Sequence, residues 1–200
     1  MVDTSGVVLA GGQSRRLGTN KAFVKVGGVP LIERVVRTLS QISDDVRIVT
    51  NEPEEYRSLG VPAVRDTWPG MGSLGGIYTG LEAARHPRAI VVGCDMPFLD
   101  LRLLRFMILL SADYDVVIPR LDGLLEPLHA IYGKACLGPI EDLLRAGDLR
   151  IVHFLGRVTV RYVERAEVEI FDPQQLSLFN VNTPEDLECA NSLTNHRCRR

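Results

Sequence analysis

Short apolar runs alternate with amphipathic stretches along the first half of the chain. Gly6-Val7-Val8-Leu9-Ala10 is a continuous apolar run that stops at Gly11-Gly12, the pattern of a strand buried on both faces of a parallel sheet. After a polar loop, the apolar positions from Pro30 to Leu39 recur at helical spacing, with Pro30 suited to the first helical position. Val46 to Thr50 reads as a second strand, Glu54 to Leu59 as a short helix and Ala63 to Arg65 as a third strand. A helix is expected from Ser73, a natural N-cap, to about Arg85. Ala89 to Cys94 is the most hydrophobic strand, and Asp100 caps a helix over Leu101 to Leu110. Asp115 to Pro119 is the fifth strand. Strands that alternate with helices in this way make a mostly parallel α/β sheet wrapped on both faces.

The second half breaks the rhythm. Leu128 to Tyr132 reads as a strand before a helix over Ala135 to Arg145, and Val158 to Val163 as a late strand, antiparallel or at an edge. A last helix opens at Thr183-Pro184-Glu185-Asp186, with Thr183 as N-cap, Pro184 as the first helical residue and Asp186 closing a capping box. Repeats, low-complexity tracts and linkers are absent, so one domain is expected over residues 1–193, with a basic tail over 194–200.

Composition narrows the chemistry by exclusion. A net charge of −2 over 200 residues offers no field to recruit nucleic acid or an anionic membrane, so any phosphate site is local. Cys94, Cys136, Cys189 and Cys198 form no C-x-x-C pair and the histidines no zinc spacing, which predicts reduced thiols in a cytoplasmic protein. Met1 to Ala10 carries no basic n-region and runs into the first strand, so no leader is expected. No apolar stretch approaches the roughly 20 residues of a membrane helix.

In open α/β sheets, ligands gather outside the carboxyl ends of the strands. Each of the first four strands here ends in groups suited to a nucleotide: Gly11-Gly12, Asn51, Asp66 and Asp95. The first end continues as Leu9-Ala10-Gly11-Gly12-Gln13-Ser14-Arg15-Arg16-Leu17-Gly18-Thr19-Asn20-Lys21. Glycine lets backbone N–H groups approach phosphate oxygens, and Arg15, Arg16 and Lys21 supply charge. The spacing fits neither G-x-x-x-x-G-K-[ST] nor G-x-G-x-x-G, so this is neither an ATPase P-loop nor a dinucleotide fingerprint.

The stretch from Leu9 to Lys21 resembles the signature of the nucleotidyltransferase superfamily, in the form used by the molybdenum cofactor guanylyltransferase family. Val49-Thr50-Asn51, Val64-Arg65-Asp66, Gly72-Ser73-Leu74-Gly75-Gly76, Cys94-Asp95-Met96-Pro97-Phe98 and Asn180-Val181-Asn182-Thr183-Pro184-Glu185-Asp186-Leu187 look like its later blocks, in order. The chain departs from the pattern at Leu17, where Met is usual, at Asn20, where Asp is common, and at Ser73 and Gly75, which stand for Pro and Ala. The resemblance implies a Rossmann-like three-layer αβα fold of the nucleotide-diphospho-sugar transferase type. It also implies GMP transfer from GTP to the molybdopterin cofactor, with pyrophosphate leaving, and transient contacts with other proteins of molybdenum-cofactor metabolism. The cytidylyl counterpart on the same scaffold, and a non-catalytic nucleotide-binding partner, remain the alternatives.

Residue roles follow from chemistry and from the resemblance together. Asp95 emerges from an apolar strand, and Mg²⁺ needs only one or two carboxylates beside substrate phosphates. Lys21 with Arg15 or Arg16 would steady the leaving phosphates, a chemistry that rests on positioning and electrostatics rather than a side-chain nucleophile. Leu9, Ala10, Gly11, Gly12 and Gly75 are expected along the nucleotide; Gly75 and Gly76 cost a helix about 1 kcal/mol each, which a nucleoside against that backbone would explain. Asn51 suits a base edge or ribose, and equally an Asx-turn before Glu52-Pro53. Asp66 could accept from guanine's N1–H and amino group, or cap its loop. The resemblance places Asn180 and Asn182 on the acceptor side, where local turn chemistry is the alternative, and Glu126-Pro127-Leu128-His129 along the acceptor region.

Overall fold

The computed structural model describes residues 3–11 and 20–197, with side chains to residue 194. Along the chain run β1 (Thr4–Leu9), β2 (Lys25–Val26), β3 (Val29–Pro30), α1 (Leu31–Leu39), β4 (Val46–Thr50), β5 (Ala63–Arg65), α2 (Gly72–Ala83), β6 (Arg88–Gly93) and α3 (Leu101–Leu110). Then come β7 (Val116–Leu121), β8 (Leu124–Leu125), β9 (His129–Gly133), α4 (Leu137–Arg145), α5 (Val152–Leu155), β10 (Val160–Glu164), α6 (Arg165–Phe171) and α7 (Pro184–Arg197). The main sheet has the order β10-β7-β9-β6-β1-β4-β5, with β8 added to β7. β1 pairs parallel with both β4 and β6, β4 with β5, and β10 with β7, whereas β9 runs antiparallel between β6 and β7.

The period of two along the strands divides the core. Val8, Ile90, Val92, Val117 and Ile131 face α1, α3 and α6, while Val7, Ala89, Val91, Val116, Ile118, Ala130 and Tyr132 face α2, α4 and α5. Both faces of the sheet are therefore dry, as continuous apolar strands require. α2 lies unusually close to the sheet. A Cβ on Gly80 would sit 2.3 Å from Val7 Cγ1, and one on Gly76 would sit 3.1 Å from Leu9 Cδ1. Leu74, Ile77 and Leu81 of that helix are fully buried, worth about 1.5–3 kcal/mol each.

Several expectations change. Pro30 closes β3 rather than opening α1, because the preceding segment forms a hairpin instead of a loop. Its turn is Gly27-Gly28, both at positive φ, the backbone that a tight two-residue hairpin needs. Ser73 does not cap α2; the helix starts at Gly72, with Met71 in the cap position and no side-chain bond. The late strand is an edge strand but parallel to its neighbour. α6, opened by a reciprocal Glu164/Glu167 capping box, was not anticipated. α7 continues to Arg197, past position 194 where the tail was expected to begin.

Candidate active site

Four strand ends meet at one edge of the sheet. Cys94 N–H donates to Leu9 O at 3.1 Å, Ala10 N–H to Val49 O at 2.8 Å, and Asp66 N–H to Thr50 O at 3.1 Å, so the chain leaves β1, β4, β5 and β6 side by side. Among the described residues, nothing lies within 4 Å of where a Cβ on Gly11 would stand. Gly12 and Arg15, like Arg16, lie outside the described residues.

The chemical centre is an ion pair with a third member. Lys21 Nζ lies 2.6 Å from Asp95 Oδ2, with the two side chains only 13% and 20% exposed. The same ammonium donates to Asn182 Oδ1 at 2.7 Å. Asn20, bonded to the Ala22 amide, opens the 3₁₀ turn that carries Lys21. Asp95 is held by its backbone, whose carbonyl accepts from Val181 N–H at 3.0 Å. Asn182 is aimed by the reciprocal cap of α7: Asp186 Oδ2 accepts from the Asn182 and Thr183 amides, each at 2.9 Å, while Asp186 N–H donates to Thr183 Oγ1. Asn182 thus belongs to the centre itself. Asn180 instead donates to the carbonyl of Leu178 at 3.1 Å, within its own turn.

At β4, Thr50 Oγ1 accepts the Glu52 amide and makes the turn. Asn51, half-buried, has no side-chain hydrogen bond among the described residues, so the Asx-turn expected as its alternative does not form. Asp66 has one committed oxygen: Oδ1 accepts from Trp68 N–H at 3.0 Å and from Thr79 Oγ1 at 2.8 Å. Gly75 is explained by packing, since a Cβ there would lie 2.8 Å from the Trp68 carbonyl oxygen. That close approach, and Gly76 against Leu9, account for both glycines without a nucleoside.

Two features escaped the sequence reading. Tyr56, fully buried, donates from its hydroxyl to Ala10 O at 3.3 Å and accepts from Asn20 Nδ2 at 3.2 Å. One phenol therefore ties together the two ends of the 11–20 segment, and burial pushes its pKa up, keeping it protonated. The thiol of Cys94 is pushed up to about 12 by burial and then by the charge of Asp95, so it stays protonated at neutral pH. His129 is wholly buried in β9, whereas Glu126, Pro127 and Leu128 of the same block are partly exposed. Among the described residues no group of three or more His, Cys, Asp or Glu side chains could hold a metal ion by itself.

The family model described as the MobA-like NTP transferase domain matches residues 6–161. The chain belongs to this family. It is 40% identical over 187 residues to a probable molybdenum cofactor guanylyltransferase of Pelotomaculum thermopropionicum, covering 94% of this chain and 91% of that protein. It is 38% identical to the molybdenum cofactor guanylyltransferase of Desulfosudis oleivorans, covering 93% of each. Among solved structures, molybdopterin-guanine dinucleotide biosynthesis protein A of Archaeoglobus fulgidus superposes with a TM-score of 0.84 at 29% identity, covering 96% of this chain and all of that one. The mostly parallel αβα fold and the nucleotidyltransferase class expected from the sequence hold. Asn180 and Asn182 fall beyond the span matched by the family model.

Proposed function

We propose that the chain transfers GMP from GTP to the terminal phosphate of the molybdopterin cofactor and releases pyrophosphate. The observation that carries this reading is the junction of Lys21, Asp95 and Asn182 at the carboxyl ends of β1 and β6, in a chain whose curated relatives bear the guanylyltransferase name. Asp95 and the Asn182 oxygen are hard oxygen donors. Together with substrate phosphates they fit Mg²⁺, which rarely takes an all-protein cage. Bound there, the metal would supply charge neutralisation of the phosphates.

The chain's own residues do the rest by position. An acceptor phosphate oxygen, already ionised at neutral pH, forms the new bond to the α-phosphorus of GTP. The bond from that phosphorus to the bridging oxygen breaks, and pyrophosphate leaves with the electron pair. Lys21 and, in this reading, Arg15 neutralise the charge that accumulates on the leaving group. No proton has to be removed from the attacking group, so no general base is required. Asn51, Asp66 and the backbone of Leu9 to Gly12 hold the nucleoside, and Asn180 and Asn182 the acceptor. The cytoplasm supplies the GTP, and no helix among the described residues is long and apolar enough to cross a membrane.

The test is pyrophosphate release with Mg²⁺ and molybdopterin cofactor, comparing GTP, CTP, ATP and UTP. Turnover confined to GTP is expected. Turnover with CTP would move the protein to the cytidylyl activity, and binding of nucleotide without turnover would leave a non-catalytic partner.

A further inference from the structure

Thr79 lies on α2, 2% exposed, in a helix that otherwise packs against the sheet. Its hydroxyl is fully used. A carboxylate only accepts, so Thr79 Oγ1 must donate to Asp66 Oδ1 at 2.8 Å. The 2.8 Å contact with Thr67 Oγ1 then runs from Thr67 to Thr79, alongside Thr67 N–H to the same oxygen at 3.1 Å. With the Trp68 amide also on Oδ1, both lone pairs of that oxygen are taken. Oδ2 has no hydrogen-bond partner among the described residues.

From this arrangement we infer that Thr79 is a positioning residue for the nucleotide. It acts through Asp66, which then meets the nucleoside through Oδ2 alone. The inference rests on the nucleotide-binding role proposed for Asp66. It also changes that role. A guanine edge offers two parallel donors, N1–H and the amino group, and a carboxylate takes both only with two free oxygens. With Oδ1 occupied that fork is closed, and Asp66 accepts one donor. Asn51, next to it at the end of β4 and with its amide uncommitted among the described residues, has the donor and acceptor that a base edge asks for. Thr79 fixes the plane of the Asp66 carboxylate from inside a rigid helix, which a solvent-facing loop could not do by itself.

Calorimetric GTP affinity and steady-state kinetics on Thr79→Val, Thr79→Ser, Asp66→Ala and the Asp66→Ala/Thr79→Val double variant test this. Thr79→Val, nearly isosteric, is expected to weaken GTP binding about fivefold while kcat stays within about twofold, and Thr79→Ser to restore wild-type affinity. Asp66→Ala should weaken GTP by about ten- to 150-fold, the worth of one hydrogen bond to a charged group. The double variant should be no worse than Asp66→Ala, because Thr79 acts only through that carboxylate. A Thr79→Val protein that loses stability but keeps its GTP affinity overturns the inference, as does full additivity with Asp66→Ala. A loss of about a thousandfold or more in Asp66→Ala overturns the single-oxygen reading. Should the wild type bind GTP and yet release no pyrophosphate, the transferase reading fails while the affinities still decide the role of Thr79.

Discussion

Two aspartates stand at opposite ends of the central strands, and they could hardly be kept more differently. Asp45, beside the amino end of β1, is 4% exposed and surrounded by donors. It accepts from Ser5 Oγ at 2.6 Å and the Arg85 amide at 2.9 Å, and pairs with Arg47 at 3.0 Å and Arg85 at 3.2 Å. Asp95, at the carboxyl end of β6, has one oxygen on Lys21 and an opening to solvent. Burial alone would raise the Asp45 carboxyl, but bonds from Ser5, the Arg85 amide and Arg47 outweigh it and hold the pKa at about 2. A carboxylate with every lone pair answered is a structural joint. One that answers to a single ammonium among the described residues, and stays 20% exposed, is equipped to exchange partners. Completeness of bonding, more than burial or charge, separates the two.

The sharpest way to break this comparison is to delete each carboxylate. Asp95→Ala should lower the transfer rate by about 10²–10³, with an unfolding midpoint close to wild type, as loss of a preorganised electrostatic contact does. Asp45→Ala should do the reverse. Removing it strands Arg47 and costs about 3 kcal/mol of stability, while the rate per folded molecule is unchanged. Denaturant unfolding alongside pyrophosphate release reads both, and a stable but inactive Asp45→Ala would undo the contrast.

Acid sharpens the comparison further. Because the Asp45 pKa is lowered from 3.8 to about 2, its stabilising contribution is complete above about pH 4 and is lost as the pH falls through 2. That amounts to about 2 kcal/mol. The stability gap between wild type and Asp45→Ala should therefore narrow over that window, and a constant gap would mean that packing rather than charge is responsible. The smallest effect is expected from Tyr56→Phe, which unties Ala10 from Asn20. It should cost about 1 kcal/mol of stability and weaken GTP a few-fold in a binding titration.

What could be read in the residues divides along the same line. β4, β5 and α3 with its Asp100 cap carry their signals within a few positions, and they appear where the periodicity puts them. Asp95 was legible because an apolar strand that ends in a carboxylate is a local statement. The β2–β3 hairpin left a visible mark in Val26-Gly27-Gly28-Val29, but two-residue strands give no alternation to count. Gly75 and Gly76 are legible as costly in a helix, but the neighbour that each accommodates is not. The pattern shows that something comes close to a glycine; it does not show whether that is a ligand, the Trp68 carbonyl or Leu9. Tyr56 across to Ala10, Thr79 to Asp66 and Lys21 to Asn182 are pairings that only the fold makes. No spacing rule of a helix or a strand reaches that far.

The bond between Lys21 and Asn182 spans 161 positions, which bears on how the molecule comes off the ribosome. The chain is made from its amino end, and contacts distant in sequence are the slowest to form. Every strand of the main sheet has been synthesised before Asn182 exists, so a nascent chain can already hold Lys21 against Asp95 in a folded sheet. It still lacks the third member of its centre and the helix cap that aims it. Completion of the centre is then a late step of folding.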